Sequence, residues 1–116
     1  MRLTRVSRDD AVLISRVEIA ESVAERMRGL LGRSALDQGS GMLIAPCRSI
    51  HTWCMQFSLD LIFVSSDLHV TRVVRDVRPF RAVLGGRDAW GVIEVQHGWL
   101  DEAAVRAGDR LIFQDS

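Results

Sequence analysis

The segment from Pro46 to Phe63 carries the densest set of side chains that could do chemistry. Cys47, His51 and Cys54 follow the pattern C-x3-H-x2-C, and thiolates and imidazoles are ligands that zinc prefers. On a strand, however, successive side chains point to opposite faces, so Cys54 would point away from Cys47 and His51. No second cluster offers a fourth ligand, so the sequence predicts neither a metal site nor a cofactor.

Cys47 and His51 could instead act as a nucleophile and its base. Four residues of extended strand span about 13 Å, which is beyond hydrogen-bond reach unless the chain folds back. A disulfide between Cys47 and Cys54 meets the same obstacle. We therefore expect both cysteines to pack as small apolar side chains.

Asp60 and Glu94 are acidic residues set within apolar runs. A carboxylate in such a place costs several kcal/mol unless it is paired or hydrogen-bonded. The two acids could form a general acid–base pair. Alternatively, each accepts backbone amides or an arginine such as Arg26 or Arg33 and holds the fold together, which is the interpretation we prefer.

His51, Trp53 and Met55 alternate along one predicted strand and therefore share a face. Together with Asp60 and Glu94 they are the candidate ligand-binding residues. The favoured function is a small non-catalytic binding or accessory module that holds a small ligand or a partner peptide on a concave β face. The alternative is a small hydrolase-like enzyme that uses Asp60 or Glu94 with His51. The first is preferred because no set of nucleophile, base and orienting group can be assembled from the spacings.

Residues 72–87 carry five arginines and a single acid, Asp76. Such a run fits an acidic partner or a phosphate backbone. It also fits a solvated strand edge that discourages aggregation, which we prefer. Base stacking is not indicated, because Phe80 is the only aromatic residue in the run.

Trp90 and Trp99 fit either the core or a half-exposed rim around a ligand.

The hydrophobic pattern predicts an α+β fold that is β-rich, with a mostly antiparallel, partly closed, barrel-like sheet and one main short helix. A capping box at Ser22–Glu25 would begin this helix, and Gly32 would end it. A single helical turn is expected between Gly98 and Arg110. The predicted strands are Ala11–Ile19, Met42–Ala45, Ser49–Trp53, Leu59–Val64, Val70–Val77, Trp90–Gln96 and Arg110–Phe113.

The order of short motifs resembles a conserved bacterial and archaeal family, domain of unknown function 192. The motifs are Glu25-Arg26-x-x-Gly29-Leu30-Leu31-x-Arg33, Gly41-Met42-Leu43, Pro46-Cys47-x-x-Ile50-His51-Thr52-Trp53-x-Met55, Leu59-Asp60-x-x-Phe63, Ile93-Glu94-Val95, Gly98 and Gly108-Asp109. The resemblance runs from about Ala11 to Phe113 and implies a compact β-rich α+β domain, but no reaction. Cys54, Gln56 and Ser58 depart from the small residue, the basic residue and the proline of the family pattern.

Composition excludes several classes of protein. The 116 residues carry 15 basic side chains, all of them arginine, and 15 acidic ones, so a sequence-specific nucleic-acid partner is not expected. No apolar run is long enough to span a membrane. The start of the chain lacks the apolar stretch of a signal peptide and the two cysteines are too few for a disulfide framework, so we expect a cytoplasmic setting. Residues 1–116 are predicted to form one domain, with the family-like core at about 11–113.

Overall fold

A computed structural model describes residues 2–8, 11–20, 40–52, 55–100 and 104–115, and every structural statement below concerns these residues. They form nine strands, rich in the β-branched residues that favour extended backbone. The strands are β1 (Arg2–Arg8), β2 (Ala11–Ala20), β3 (Ser40–Ile44), β4 (Ser49–His51), β5 (Leu59–Val64), β6 (Val70–Val77), β7 (Ala82–Leu84), β8 (Gly91–Gln96) and β9 (Leu111–Asp115).

Seven of these strands build one sheet in the order β6-β5-β8-β3-β2-β1-β9, and β4 pairs with β7 in a separate two-stranded sheet. Every pairing is antiparallel except that of β2 with β3. An isolated bridge between His69 and Arg110 links the start of β6 to the start of β9. The two outermost strands of the large sheet therefore meet at one end, which partly closes it.

Both faces of the large sheet are covered, and this explains why β5 and β8 are buried along almost their whole length. Strands that are covered on both sides read as continuous apolar runs instead of alternating ones. One face packs with residues of the β4–β7 layer and of the loops around it: Ile50, Met55, Phe57 and Ala89. The other face packs with residues that follow β8 and with the first residue of β9: Leu100, Val105 and Leu111.

The β4–β7 layer is held by close contacts. A Cβ atom at Gly85 would lie 2.3 Å from the Phe63 ring, so only glycine lets the chain after β7 approach β5 this closely. The buried Thr52 hydroxyl donates to the Arg78 carbonyl at 2.6 Å and accepts from the Arg81 amide at 2.9 Å. These bonds fasten the end of β4 to the segment that leads into β7.

The expected α+β class is wrong for the described residues, which are all-β and contain no helix. The helix expected from Ser22 to Gly32 lies outside the described residues. In the described part of the segment Gly98–Arg110, the expected helical turn is absent. The described residues form tight turns: Gly98 and Gly108 take positive φ values of 85° and 95°, and the Asp109 side chain accepts a hydrogen bond from the Arg106 amide. The middle of the segment, residues 101–103, lies outside the described residues. Local helix propensity yields here to turn chemistry.

Strand bounds otherwise differ from expectation at a few places. The strand expected over Ser49–Trp53 ends at His51, because Thr52 turns its hydroxyl to carbonyl groups near β7. Strands β1 and β7 were not predicted. Within the described ranges, nothing qualifies as a helix able to cross a membrane.

Candidate functional site

Asp60 is a carboxylate buried at one end of the central strands, with 1% of its surface exposed. Its Oδ1 accepts hydrogen bonds from the Asp76 amide and from His97 Nδ1, both at 2.8 Å. Its Oδ2 accepts from the Gly98 amide at 3.4 Å and from the Arg75 guanidinium at 3.3 Å. Each carboxylate oxygen therefore has two donors, which offsets the cost of burying the charge.

A β-bulge in β6 supplies two of these four donors. Leu59 pairs with Val77 and Leu61 pairs with Val74, so two residues of β6 lie opposite the single residue Asp60. The two extra residues are Arg75 and Asp76, and Asp76 takes a positive φ of 55°. Bulges of this kind turn a backbone amide or a side chain toward a site, and such strained backbone persists only when its surroundings hold it. Here the amide of Asp76 is turned to Asp60.

His97 lies where β8 ends and leaves 44% of its side chain exposed. A carboxylate only accepts, so the ring nitrogen facing Asp60, Nδ1, carries a proton. The hydrogen bond to Asp60 raises the pKa of His97 above its ordinary value, with a further contribution from the negative charge of Asp60. The other ring nitrogen, Nε2, lies 3.9 Å from Asp76 Oδ1 at the surface. The ring is thus an oriented imidazole that can exchange a proton with solvent.

Arg75 joins this cluster to the loop after β8. One guanidinium nitrogen contacts Asp60 and also donates to the Leu100 carbonyl at 2.9 Å. Asp60 thus receives backbone amides and an arginine, the kind of partners expected from the sequence. The arginine is Arg75, however, whereas Arg26 and Arg33 lie outside the described residues.

Glu94 lies on the opposite face of the sheet from Asp60. Glu94 lies in β8, opposite Met42 of β3 on one side and Leu61 of β5 on the other. Asp60 of β5 lies opposite the next residue of β8, Val95. Residues directly opposite each other share a face, and neighbouring residues of a strand point to opposite faces. The sheet therefore separates the two carboxylates, and Glu94 has no exposed surface. The two acids are not brought together as an acid–base pair.

The other candidate residues are spread over different environments. His51 is exposed at the end of β4, whereas Met55 is buried in the core. The imidazole that contacts Asp60 belongs to His97. Trp53 lies outside the described residues. The described structure does not gather His51, Met55, Asp60 and Glu94 around one cavity, and as ligand contacts they remain predictions.

The opposite end of β5 and β8 carries two open clefts that share Pro46, Ser66 and Trp90. We call them together the double cleft. Its polar half has a volume of about 480 Å³ and is also lined by Cys47, Arg48, Ser65, Arg87, Asp88 and Ala89. Its apolar half has a volume of about 500 Å³ and is also lined by Ile19, Leu43, Ala45, Leu68 and Phe113. Each half is in the range of known small-ligand pockets.

Trp90 lines both halves and exposes 38% of its surface. Its amide donates to the Val64 carbonyl and its carbonyl accepts from the Cys47 amide, both at 2.7 Å. These bonds fix the backbone of Trp90 between β5 and the residue after Pro46, whose peptide bond with Ala45 is cis. A half-exposed indole on a fixed backbone provides a ready contact surface for an apolar group.

The turn from Ser65 to His69 forms another wall of the double cleft. The Ser65 hydroxyl accepts the His69 amide at 3.1 Å and donates to Asp67. That bond, together with one from His69, lowers the pKa of the Asp67 carboxyl below its ordinary value. Backbone bonds between Ser65 and both Leu68 and His69 close the turn. Ser66 lines both halves and Leu68 lines the apolar half from this hydrogen-bonded turn.

Sequence reasoning missed the role of His97, because a single histidine beside a turn gives no local pattern and its partner Asp60 is 37 positions away. For Trp90, the sequence left open whether the side chain lies in the core or at a half-exposed rim around a ligand. In the ranges that the structure covers, no group of three or more His, Cys, Asp or Glu residues could hold a metal ion.

Comparisons with known proteins give a family and a fold. The profile of domain of unknown function 192, described as an uncharacterized ACR, matches residues 4–113. A protein of unknown function from Novosphingobium aromaticivorans DSM 12444 superposes with a TM-score of 0.79 at 22% identity, covering 95% of this chain and 83% of that chain. A proposed transcription regulator from Sinorhizobium meliloti 1021 superposes with a TM-score of 0.79 at 21% identity, covering 97% and 92%. No curated protein matches the chain. The family match spans nearly all of the sequence, and the chain therefore belongs to the family of domain of unknown function 192.

Proposed function

We propose that the protein is a small non-catalytic binding module and that its ligand is a small amphiphilic anion held in the double cleft. The observation that supports this is that Trp90 lines both an apolar cleft and a polar cleft, and that the polar cleft has two arginines, Arg48 and Arg87, against one acid, Asp88. The module resides in the cytoplasm in this proposal, in keeping with the low cysteine content.

The chemistry of the two halves favours an amphiphile over a uniformly polar or apolar molecule. An aliphatic chain or ring would lie against Leu43 and Phe113 in the apolar half. A carboxylate, sulfonate or phosphate would face Arg48 and Arg87 in the polar half. Charge-assisted hydrogen bonds to such a group are about twice as strong as neutral ones. Contact with the indole of Trp90 adds about 0.5–1.5 kcal/mol if the apolar group is aromatic.

The proposal keeps the binding function expected from the sequence and places it on different residues. The sequence pointed to a concave face around His51 and Asp60. Asp60 is buried, and each of its oxygens already has two donors from the chain. The double cleft, in contrast, presents cationic and aromatic groups to open space.

Anilinonaphthalene sulfonate (ANS), an aromatic anion whose fluorescence rises in apolar sites, tests the proposal directly. We expect saturable one-site binding, displaced by decanoate, with affinity reduced at least about tenfold by Trp90→Ala and by Arg87→Ser. The matched controls are Ile112→Ala and Arg106→Ser, which change exposed side chains outside the double cleft. Equal affinity of all four variants, or the absence of saturable binding, would contradict the proposal.

A second candidate is hydrolase-like chemistry, and the hydrogen bond between Asp60 and His97 favours it. The sequence had assigned the base to His51, whereas the structure orients His97. A buried carboxylate that orients an imidazole is a common arrangement for proton transfer. Among the described residues, however, the His97 ring contacts Asp60 and Asp76, and no hydroxyl or thiol that could act as a nucleophile is hydrogen-bonded to the ring. This candidate therefore ranks below the binding module.

Hydrolysis of p-nitrophenyl acetate and p-nitrophenyl phosphate tests the second candidate. An enzyme would show saturable turnover that His97→Gln abolishes and that His51→Gln leaves unchanged. Turnover no faster than that of free imidazole at equal concentration would exclude the hydrolase candidate.

A further inference from the structure

We propose that the groove between β6 and β7 binds an extended acidic segment of a partner protein, which adds to the fold as a strand. The groove has a volume of about 360 Å³ and shares no lining residue with the double cleft. One wall consists of Val74–Val77 of β6 and the following residue, Arg78. The other wall consists of Ala82 and Val83 of β7 and the preceding residue, Arg81. The inference is independent of the proposed ligand of the double cleft.

Both walls of the groove are strand edges. β6 is an outermost strand of the large sheet, and β7 is paired on one side only, with β4. Among the residues that the structure describes, backbone partners across the outer edge of β6 are seen only at its first residue, Val70, which bonds with Gly108 and Asp109. A free strand edge presents unpaired backbone donors and acceptors, which an extended peptide can use.

The hydrogen-bond pattern shows which groups of β7 face the groove. The Thr52 amide donates to the Arg81 carbonyl, and the Gly85 amide donates to the Arg48 carbonyl. Hydrogen-bonded pairs alternate along an antiparallel ladder, so Ala82 and Leu84 direct their backbone groups away from β4. The Leu84 carbonyl accepts a hydrogen bond from the Arg72 guanidinium, which crosses from β6. The side chain of Arg72 thus occupies the place that an N–H group of an added strand would take.

The charges around the groove favour an acidic occupant. Arg78 and Arg81 line it with exposed side chains, while Arg75 is engaged with Asp60. The one acid in the lining is Asp76, whose carboxylate lies 3.9 Å from the Arg78 guanidinium. Close to these cations, Phe80 exposes 67% and Leu84 exposes 71% of its surface. A segment that alternates acidic and apolar residues would match both features, because successive side chains of a strand point to opposite faces.

A solvated edge guarded by arginines is the competing explanation for the same residues. It accounts for the charge but not for the exposed side chains of Phe80 and Leu84, which adjoin the lining residues Arg81–Val83 in the sequence. Exposed apolar groups beside an edge promote the association that arginines would prevent. Phe80 also holds a positive φ of 62°, an unusual conformation for a bulky residue, and its amide donates to the Thr52 carbonyl. The chain therefore presents this ring outward on a fixed backbone.

Fluorescence anisotropy with a labelled heptapeptide of alternating glutamate and valine tests the inference. We expect saturable binding that weakens at least tenfold in the double variant Arg78→Glu/Arg81→Glu and is unchanged in Arg106→Glu, which reverses an exposed charge elsewhere. The lysine–valine peptide should not bind. A glutamate–valine peptide with N-methylated backbone should bind at least tenfold more weakly, because it lacks the donors of a strand.

Three results would overturn the inference. The first is an absence of saturable binding by the glutamate–valine peptide to the wild-type chain while circular dichroism shows it folded. The second is equal binding by the Arg78→Glu/Arg81→Glu and Arg106→Glu variants, or by the N-methylated and unmodified peptides. The third is tighter binding of a single-stranded oligonucleotide that depends on the same two arginines, since the groove would then serve a phosphate backbone. If the double variant fails to fold, the comparison of the two acidic peptides on the wild-type chain decides the matter.

Discussion

The two ends of strands β5 and β8 use polar groups in opposite ways. At the Asp60 end, a buried carboxylate meets four donors, and His97 and Arg75 are both engaged in contacts within the chain. At the Trp90 end, cationic and aromatic side chains line open clefts. Polar groups already satisfied within the chain stabilise a fold, whereas polar groups aimed at empty space are available for a ligand. The acid within an apolar run is thus satisfied by groups of the chain itself, and for this reason we propose the other end as the place of binding.

The largest expected effect comes from removing the buried carboxylate. Asp60→Ala leaves the Arg75 charge and two backbone amides without their acceptor, so we expect a loss of about 3–5 kcal/mol in the free energy of unfolding. Asp60→Asn keeps an acceptor in place and should lose less. Urea denaturation measures both. A wild-type midpoint for Asp60→Ala would show that the contacts of Asp60 contribute no stability.

Gly85 tests how closely the β7 layer must approach β5. A Cβ atom at this position would lie 2.3 Å from the Phe63 ring and 2.9 Å from the Ala89 side chain. Gly85→Ala should therefore cost about 1–3 kcal/mol of unfolding free energy by overpacking. Because Ala89 also lines the double cleft, the variant should bind ANS more weakly too. Unchanged stability and unchanged ANS affinity in Gly85→Ala would contradict this prediction, because the β4–β7 layer could then shift away from β5 without cost.

His97 should give stability a pH dependence of modest size. Its pKa is raised in the folded state, so its contribution is complete below the unfolded pKa of about 6.5 and is lost as the pH rises through the folded value. The difference in unfolding free energy between wild type and His97→Asn should therefore be larger at about pH 5.5 than at about pH 9. We expect less than about 1 kcal/mol, since the ring is partly exposed and screened by solvent. A difference that grows toward high pH would contradict the assigned hydrogen bond.

Arg87 should behave in the opposite manner, with little effect on stability and a large one on binding. Arg87→Ser changes an exposed side chain, so the free energy of unfolding should stay within about 0.5 kcal/mol of wild type. If thermal denaturation instead shows a loss comparable to that of Asp60→Ala, Arg87 is part of the architecture and the contrast between the two ends fails.

Much of the sheet could be predicted because its strands carry their own pattern. The bounds of β5 follow from the largely apolar run Leu59–Val64, and those of β6 follow from the valines that recur between Val70 and Val77. β1 was missed because arginines interrupt its pattern, and it is held by pairing with β2 and β9. β7 has only three residues and depends on pairing with β4. Such strands are specified by distant partners, which local sequence does not reveal.

The candidate site was predictable in its components but not in its arrangement. The cost of burying a carboxylate was enough to single out Asp60 and Glu94, and both are buried. Their placement on opposite faces follows from the register of β5 against β8, which the sequence does not encode in any local motif. The donors around Asp60 come from a bulge in β6, which supplies Arg75 and Asp76, and from the end of β8, which supplies His97 and Gly98. The double cleft is likewise assembled from segments far apart in the chain.

A backbone amide chemical-shift titration with decanoate tests most directly whether the double cleft is the binding site. Binding in the double cleft should shift the amide signals of Cys47, Ser66 and Trp90, at the end of the sheet where Val64 meets Trp90. The signals of Asp76 and Gly98, whose amides face Asp60, should stay in place. Shifts concentrated at Asp76 and Gly98, with none at the double cleft, would contradict the account and move the binding site to the Asp60 end.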